Sequence, residues 1–148
     1  MHSTTVGVLP VETYRLILDS VPILCVDLII KNPDELILLL RRANEPLKGR
    51  WWVPGGRVHK GELLEQAVQR IAREETGLQV GLIQPVGIRE YHFEESPFGL
   101  TGGTHNVAIV FKCSVQDASL VVMDQQHFSW TLSEFLPEDF ELQTFGVQ

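Results

Sequence analysis

The sequence predicts an α/β fold in which helices pack on the faces of a mixed β-sheet. Apolar, β-branched runs at residues 23–30 and 36–42 flank a turn-rich segment, which predicts a buried β-hairpin. Apolar residues recur at helical spacing over residues 62–76, which predicts an amphipathic helix. Further strand-like runs follow at residues 86–93 and 105–115, so helices and strands alternate as an α/β sandwich requires.

The other predicted elements are shorter. Residues 9–22 predict an N-terminal helix, because prolines stand near its first turn and beyond its end. The segment WWVPGG, residues 51–56, predicts a short strand that ends in a glycine turn. We expect a flexible loop at residues 95–103 and, at residues 127–135, a strand that enters a short helical turn.

Length and composition favour one domain that spans residues 1–148. Hydrophobic residues make up 44% of the chain and charged residues 21%, which is enough apolar material for a core and argues against global disorder. The net charge of −7 argues against a long binding surface for nucleic-acid phosphates, so we expect no nucleic-acid partner. A small nucleotide remains compatible, because a few arginines can hold one.

Cysteine usage and the lengths of the apolar runs favour a cytoplasmic protein. Cys25 and Cys113 stand among apolar neighbours, which predicts two buried free thiols rather than a disulfide or a metal site. The N-terminus lacks the basic start and apolar core of a signal peptide, and the apolar runs are too short to cross a bilayer. We therefore expect no membrane partner.

Charged residues cluster on the predicted helix at residues 62–76. A helical wheel puts Glu62, Arg70 and Glu74 away from the apolar stripe, with Glu75 at its flank. The inward stripe is formed by Leu64, Ala67, Val68, Ile71 and Ala72. Taken alone, such charges describe a solvated face with helix-supporting ion pairs such as Arg70 with Glu74.

The spacing from Gly56 onward resembles the Nudix box, the signature of the Nudix hydrolases. That box is a glycine, five residues, a glutamate, seven residues and then Arg-Glu-aliphatic-any-Glu-Glu-any-Gly-aliphatic. Its positions are matched here by Gly56, Glu62, Arg70, Glu74, Glu75, Gly77 and Leu78. One position departs from it, since Ile71 stands where the family has a glutamate. The resemblance implies a Nudix-type α/β/α sandwich and a single Nudix hydrolase domain.

The same residue types suit the hydrolysis of a diphosphate. Carboxylate oxygens are preferred ligands of Mg²⁺ and Mn²⁺, which can neutralise the charge of such a substrate. Glu74 and Glu75, near the end of a helix that faces a glycine-rich turn, can converge on one ion, and the Gly55 carbonyl could add a neutral ligand. Arg57 and Arg70 could pair with phosphate oxygens or orient the glutamates. In the family, the arginine at Arg70 mainly supports the site.

The loss of the box glutamate at Ile71 resembles one Nudix branch, GDP-mannose mannosyl hydrolase. Residues 41–70 and 123–132 are also similar to segments of that branch. The resemblance implies water attack at the sugar carbon of GDP-mannose or GDP-glucose, with GDP and free hexose as products. It also implies a homodimer. Fewer carboxylates favour one metal ion over a cluster.

That resemblance assigns roles to individual residues. His127 would be the general base, because imidazole can take a proton from water near neutral pH. The candidates for catalysis are His127, Arg42, Arg57, Arg70 and Glu74. Those for the substrate are Asp27, Arg42, Arg57 and His92, and those for the metal are Gly55, Glu74, Glu75 and Gln126.

Two residues depart from that branch and keep other functions open. Glu74 is a carboxylate where the branch usually has none, and Asn106 stands where we expect a tyrosine. Glu74 is compatible with the ordinary Nudix reaction, in which water attacks phosphorus of ADP-ribose or an oxidised nucleotide and releases a monophosphate. The third alternative is an inactive nucleotide-binding Nudix domain, which has no reason to retain the box residues together.

Overall fold

Residues 9–44, 47–94, 102–123 and 127–145, apart from the side chain of Phe128, are described by a computed structural model. They form a mixed sheet of eight strands with helices packed against it. In chain order the elements are α1 (Val11–Ser20), β1 (Ile23–Lys31), β2 (Ile37–Arg42), β3 (Trp51–Trp52), β4 (Gly55–Arg57), α2 (Leu64–Thr76), β5 (Gly81–Phe93), β6 (Thr104–Ser114), a 3₁₀ turn (Ala118–Leu120), β7 (His127–Ser133) and β8 (Gln143–Thr144).

Strand β1 lies in the middle of the sheet. The strand order is β3-β2-β1-β6-β5-β8, while β4 pairs with β1 and β7 pairs with β2. The β1–β6 pair is parallel and runs from Ile23 opposite Asn106 to Lys31 opposite Ser114. The other strand pairs are antiparallel, and β1 pairs with β2 around the turn at 32–36. The predicted α/β architecture with a mixed sheet is confirmed.

The two faces of β1 contact different layers, because successive side chains of a strand point to opposite faces. Val26, Leu28 and Ile30 are fully buried in the core that α2 completes. On the other face, Cys25 packs with Leu18 of α1. The two helices therefore lie on opposite faces of the sheet, as an α/β/α sandwich requires.

Both helices begin inside their predicted ranges. Pro10 precedes the first residue of α1, where its fixed φ suits a helix start. Helix α2 starts two residues later than predicted, and the Gln66 side chain accepts a hydrogen bond of 2.9 Å from the Leu63 N–H. At the other end Gly77 has φ 70°, and its N–H donates to the Arg73 carbonyl. Glycine is favoured there because a Cβ disfavours this left-handed conformation.

The strand and loop predictions need four corrections. The strand predicted at residues 51–56 is two short strands, because Gly55 and Gly56 lie in β4 and pair with Asp27 and Val26 of β1. We keep the name glycine turn for residues 53–56, which include the connection from β3 to β4.

Strand β5 begins at Gly81 rather than at residue 86. Its pairing with β6 shifts register between Gly81 and Gln84 and again between Pro85 and Gly87. The short helical turn expected after β7 is absent there, because Glu134 and Phe135 form bends instead. The sequence analysis also missed the 3₁₀ turn at Ala118–Leu120. Of the loop predicted at 95–103, residues 95–101 lie outside the described residues.

The predictions for the cysteines are confirmed. Cys25 and Cys113 are both free and buried. Burial raises the pKa of each thiol to about 12, so both are protonated at neutral pH. Within the part of the chain that the structure describes, no helix is long and apolar enough to cross a bilayer.

Candidate active site

A cavity of about 490 Å³ lies where the glycine turn, α2 and α1 meet the sheet. Its volume is within the usual range for a small-molecule site. The N-terminal helix contributes Tyr14, and the end of the β5–β6 hairpin contributes Tyr91 and Asn106. Of the ten residues predicted for catalysis, substrate or metal, seven line this cavity: Asp27, Arg42, Gly55, Arg57, Arg70, Glu74 and Glu75.

Glu75 is the most buried of the box glutamates. Its exposed fraction is 7%, and its Oε2 accepts a hydrogen bond of 3.0 Å from the Gly55 N–H. The helical period places Glu75 one turn beyond Ile71, on the side of α2 that faces the turn. The bond therefore holds a carboxylate against the glycine turn at the wall of the cavity.

Arg70 connects the start of α2, its last turn and β4. Its Nε and Nη2 donate to both carboxylate oxygens of Glu62 at 2.6 and 3.0 Å. Its Nη1 donates to Glu74 Oε2 at 3.1 Å, and Nη2 donates to the Arg57 carbonyl at 2.9 Å. The hydrogen bonds from Arg70 lower the pKa of Glu62, and those to Glu62 raise the pKa of Arg70. Such a geometry suits a supporting residue, as the family resemblance implies for Arg70.

Glu74 differs from Glu75 in exposure. The Glu74 side chain is 59% exposed, whereas Glu75 is buried. Two adjacent carboxylates at the cavity, one of them buried, present hard oxygen ligands of the kind that divalent cations such as Mg²⁺ prefer. The donor set fits a divalent metal ion. Gln126, the further ligand predicted from the sequence, lies outside the described residues.

Asp27 forms the floor of the cavity beneath the glycine turn. It is 3% exposed, and its Oδ2 accepts a hydrogen bond of 3.3 Å from Arg89 Nη1. Burial raises the pKa of Asp27 to about 6, and the attraction of Arg89 opposes that rise. A Cβ built on Gly55 would lie 2.4 Å from Asp27 Oδ1 and 2.9 Å from the Val26 carbonyl oxygen. The turn can therefore approach β1 this closely only with glycine at position 55.

Arg89 contacts residues that line the cavity, and the sequence analysis missed it. Its guanidinium carbon lies 4.0 to 4.9 Å from the ring centroids of Trp52, Tyr91 and Phe140. Its Nε donates to the Glu141 carbonyl at 2.9 Å. The sequence contains no signal for this role, because Arg89 stands beside the charged Glu90 and its partner Asp27 is distant in the sequence.

Tyr14 is a second residue that the sequence analysis missed. It reaches the cavity from α1, and the Arg57 guanidinium carbon lies 5.5 Å from its ring centroid. Burial raises the pKa of Tyr14, so its hydroxyl is neutral near pH 7. The sequence pattern predicted helix α1 but did not show which residues of that helix would line the cavity.

Two predicted histidines do not line the cavity. His127 is 7% exposed at the start of β7, opposite Arg42 of β2, which does line it. His92 is exposed, and its ring stacks on that of His105 with centroids 4.1 Å apart. The cavity is lined instead by the neighbouring Tyr91. The base role of His127 and the substrate role of His92 remain predictions, and the placement of His92 does not favour its role.

Comparison with known proteins identifies the family. Residues 22–145 match the family model of the NUDIX domain. The chain is 36% identical over 119 residues to the low-salt glycan biosynthesis protein Agl8 of Haloferax volcanii. The aligned segment covers 80% of this chain and 75% of that protein. It is 49% identical over 67 residues to an ADP-ribose pyrophosphatase of Methanocaldococcus jannaschii, covering 45% of this chain and 38% of that one.

A solved structure agrees with this family assignment. The MutT protein of Methanosarcina mazei superposes with a TM-score of 0.62 at 28% identity, over 80% of this chain and 87% of that chain. The fold and the carboxylate-lined cavity thus define a hydrolase of the class that works with a divalent metal ion. The chain belongs to the Nudix family.

Proposed function

We propose that the protein hydrolyses a nucleoside diphosphate sugar, with Mg²⁺, to the nucleoside diphosphate and free hexose. GDP-mannose or GDP-glucose is the proposed substrate. The observation that carries the proposal is the reduced carboxylate set at the cavity. Glu75 is tied to the glycine turn, while Ile71, at the position of a further box glutamate, is 2% exposed and belongs to the core that α2 completes.

The proposed ligands of the ion are Glu75 and Glu74, with the Gly55 carbonyl and Gln126. When bound, the ion supplies positive charge that offsets the charge of the diphosphate. Arg42 and Arg57 line the same cavity, where a guanidinium can pair with phosphate oxygens in a bidentate manner. Arg70, through its bonds to Glu62 and Glu74, positions the end of the helix.

In the proposed reaction His127 takes a proton from water. The oxygen of that water forms a bond to the sugar C1 as the bond from C1 to the phosphate oxygen breaks, and the electron pair leaves with the nucleoside diphosphate. A single displacement inverts the configuration at C1. The position of His127 opposite Arg42, which lines the cavity, supports a role next to the substrate.

The name of one relative is compatible with this substrate class. Agl8 of Haloferax volcanii is named for glycan biosynthesis. Glycan assembly uses sugars activated as nucleotide or lipid phosphates, so a hydrolase of nucleotide sugars fits such a setting. The likeness extends over 80% of this chain.

A second candidate function is hydrolysis at phosphorus, with ADP-ribose or an oxidised nucleotide as the substrate. Glu74 favours it, because this exposed carboxylate at the cavity could be a metal ligand or a base. The identity of 49% to an ADP-ribose pyrophosphatase, over 45% of this chain, favours it as well. The products would then include a nucleoside monophosphate.

Product analysis in labelled water separates the two candidates. GDP-mannose, GDP-glucose, ADP-ribose and an oxidised deoxynucleotide are each incubated with the protein and Mg²⁺ in water enriched in heavy oxygen. We expect the label in the hexose and none in the nucleotide, with inversion of the released anomer. Label in a phosphate, with a monophosphate among the products, would establish the second candidate instead. Turnover of none of these compounds would favour the inactive nucleotide-binding alternative.

We also propose that the protein is a homodimer. Helix α1 exposes apolar side chains, with Val11 58% and Leu16 65% exposed, and these are surfaces that a second copy could cover. Sedimentation at micromolar concentration should show a dimer. A monomer over the whole concentration range would contradict this part of the proposal.

A further inference from the structure

The hairpin of β5 and β6 presents different side chains on its two faces. Tyr91 points into the active-site cavity. Because neighbouring strand residues alternate in direction, Glu90 and His92 point away from that cavity. His105 of β6 is the direct cross-strand partner of His92, so it shares the face of His92.

These three side chains, Glu90, His92 and His105, converge on the outer face. The imidazole rings stack with their centroids 4.1 Å apart and their planes inclined by 18°. His105 Nε2 lies 3.1 Å from Glu90 Oε1. One ligand atom from each side chain can be chosen so that all three lie within 4.8 Å of one another.

We propose that Glu90, His92 and His105 form a second metal site, for a divalent ion that prefers imidazole, such as Zn²⁺. Two imidazoles and one carboxylate are a common protein ligand set for Zn²⁺, with a fourth position left for water. Tetrahedral bonds of about 2.1 Å require donor atoms about 3.4 Å apart. The side chains of Glu90 and His105 are 63% and 33% exposed, so small rotations about their bonds can close the remaining gap.

The proposed site differs from the active centre in chemistry and in place. The active-site donors are carboxylates and carbonyls, which suit Mg²⁺, whereas imidazole selects Zn²⁺, Cu²⁺ or Ni²⁺. The cluster lies on the opposite face of the hairpin from the cavity lining. A bound ion would tie β5 to β6 directly behind Tyr91 and Asn106, and so would stiffen one wall of the cavity.

Co²⁺ provides a spectroscopic probe for this site. The full chain is titrated with Co²⁺ in the presence of saturating Mg²⁺, which occupies the carboxylate centre. We expect one Co²⁺ per chain with the intense visible bands of a tetrahedral complex. Zn²⁺ should displace it and abolish the bands.

Variants assign the signal to the cluster. His92→Gln and His105→Gln should each weaken Co²⁺ binding at least tenfold, and Glu90→Gln should weaken it measurably, while circular dichroism shows the native fold. Two control variants should keep the wild-type affinity for Co²⁺. They are Lys112→Gln, at an exposed position on β6, and Glu75→Gln in the cavity. Zn²⁺ should also raise the melting temperature of the wild type more than that of His105→Gln.

Two results would overturn the proposal. One is an absence of tetrahedral Co²⁺ bands from the wild type at millimolar Co²⁺, which would leave Glu90 and His105 as an ordinary hydrogen-bonded pair on the surface. The other is equal Co²⁺ affinity in the wild type and in the two histidine variants, which would place the ion elsewhere. Neither result bears on hydrolysis, so failure here is distinguishable from failure of the proposed function.

Discussion

The glycine turn with α2 and the start of β7 differ in how they place their candidate residues, because those of the first region line the cavity and His127 does not. At the first region Gly55, Glu74 and Glu75 are placed by one helix and the turn before it, and all three line the cavity. At the second, His127 is placed by the pairing of β7 with β2. Local spacing therefore places three of the proposed metal ligands, whereas the placement of the proposed base depends on tertiary pairing.

The metal-binding region gives the largest expected effect. Glu75→Gln keeps the size of the side chain but removes its charge, so we expect turnover with Mg²⁺ to fall by several orders of magnitude while the fold survives. Steady-state kinetics and Mg²⁺ titration measure the effect. Glu65→Gln, at an exposed position on the same helix, is the matched control and should keep its activity. Near-native turnover of Glu75→Gln would refute the site.

The entrance of β7 is tested by comparing two variants. With water attack at carbon, His127→Ala should lower kcat by about 10²–10⁴-fold with Mg²⁺ affinity mostly retained, as for the loss of a positioned base. Glu74→Gln should then have the smaller effect. The reverse order would move the base or ligand role to Glu74 and leave His127 as a structural residue. Because His127 is buried, His127→Gln serves as a second variant with less loss of packing.

The glycine turn offers a matched pair of substitutions. Gly55→Ala would bring a Cβ to 2.9 Å from the Val26 carbonyl oxygen, so β1 or the turn must shift. We expect a loss of about 1–3 kcal/mol in the free energy of unfolding, together with a loss of activity. Gly56→Ala meets the flexible Ile71 Cδ1 at 3.3 Å and should lose less. Urea unfolding measures both, and equal losses would show that the approach of Gly55 to β1 does not require glycine.

The Arg70 network gives the smallest expected effect. Glu62→Gln should lower the free energy of unfolding at neutral pH by about 1 kcal/mol, since the pair is mostly but not fully buried. The pKa of Glu62 is lowered in the folded state, so its stabilisation is present above the usual value of 4.5 and is lost as the pH falls below it. The variant should therefore lose less stability on acidification than the wild type.

Urea unfolding at neutral pH and at a pH below the usual carboxyl range measures this difference. Glu65→Gln is again the matched control, and its response to acid should equal that of the wild type. An unchanged acid response in Glu62→Gln would show that Arg70 does not stabilise the charged form of Glu62.

Most of the fold could be predicted because its elements have strong periodic patterns. The stripe of α2 and the apolar run of β1 identified both elements to within a few residues. The start of β5 could not be predicted, because Pro85 and Gly87 interrupt the strand pattern where the structure has register shifts. The short helical turn predicted after β7 was wrong, since Ser133 Oγ accepts from the Phe135 N–H and stabilises a bend there.

Some residues of the site could likewise be predicted from the sequence, and others could not. The resemblance to the Nudix box, which rests on spacing along one helix and the segment before it, singled out Glu74 and Glu75, and both line the cavity. Arg89 could not be predicted, because its burial depends on Asp27, Trp52 and Phe140, which come from separate parts of the chain. The orientation of His92 required the register of β5 against β6, and the sequence contains no marker for the face on which such a strand residue lies.

Strand β1, with core residues on one face and cavity residues on the other, constrains how this protein can evolve. The core face, which includes Val26 and Leu28, can stay constant while the cavity face changes. Cys25 can be exchanged on its own, because its thiol is neutral and apolar in character. Asp27 cannot, because its loss would leave the Arg89 charge buried beside Trp52 without its counter-ion. Positions 27 and 89 should therefore mutate as a pair. If substitutions in β1 change the substrate that the protein accepts, the first of them should be at position 25.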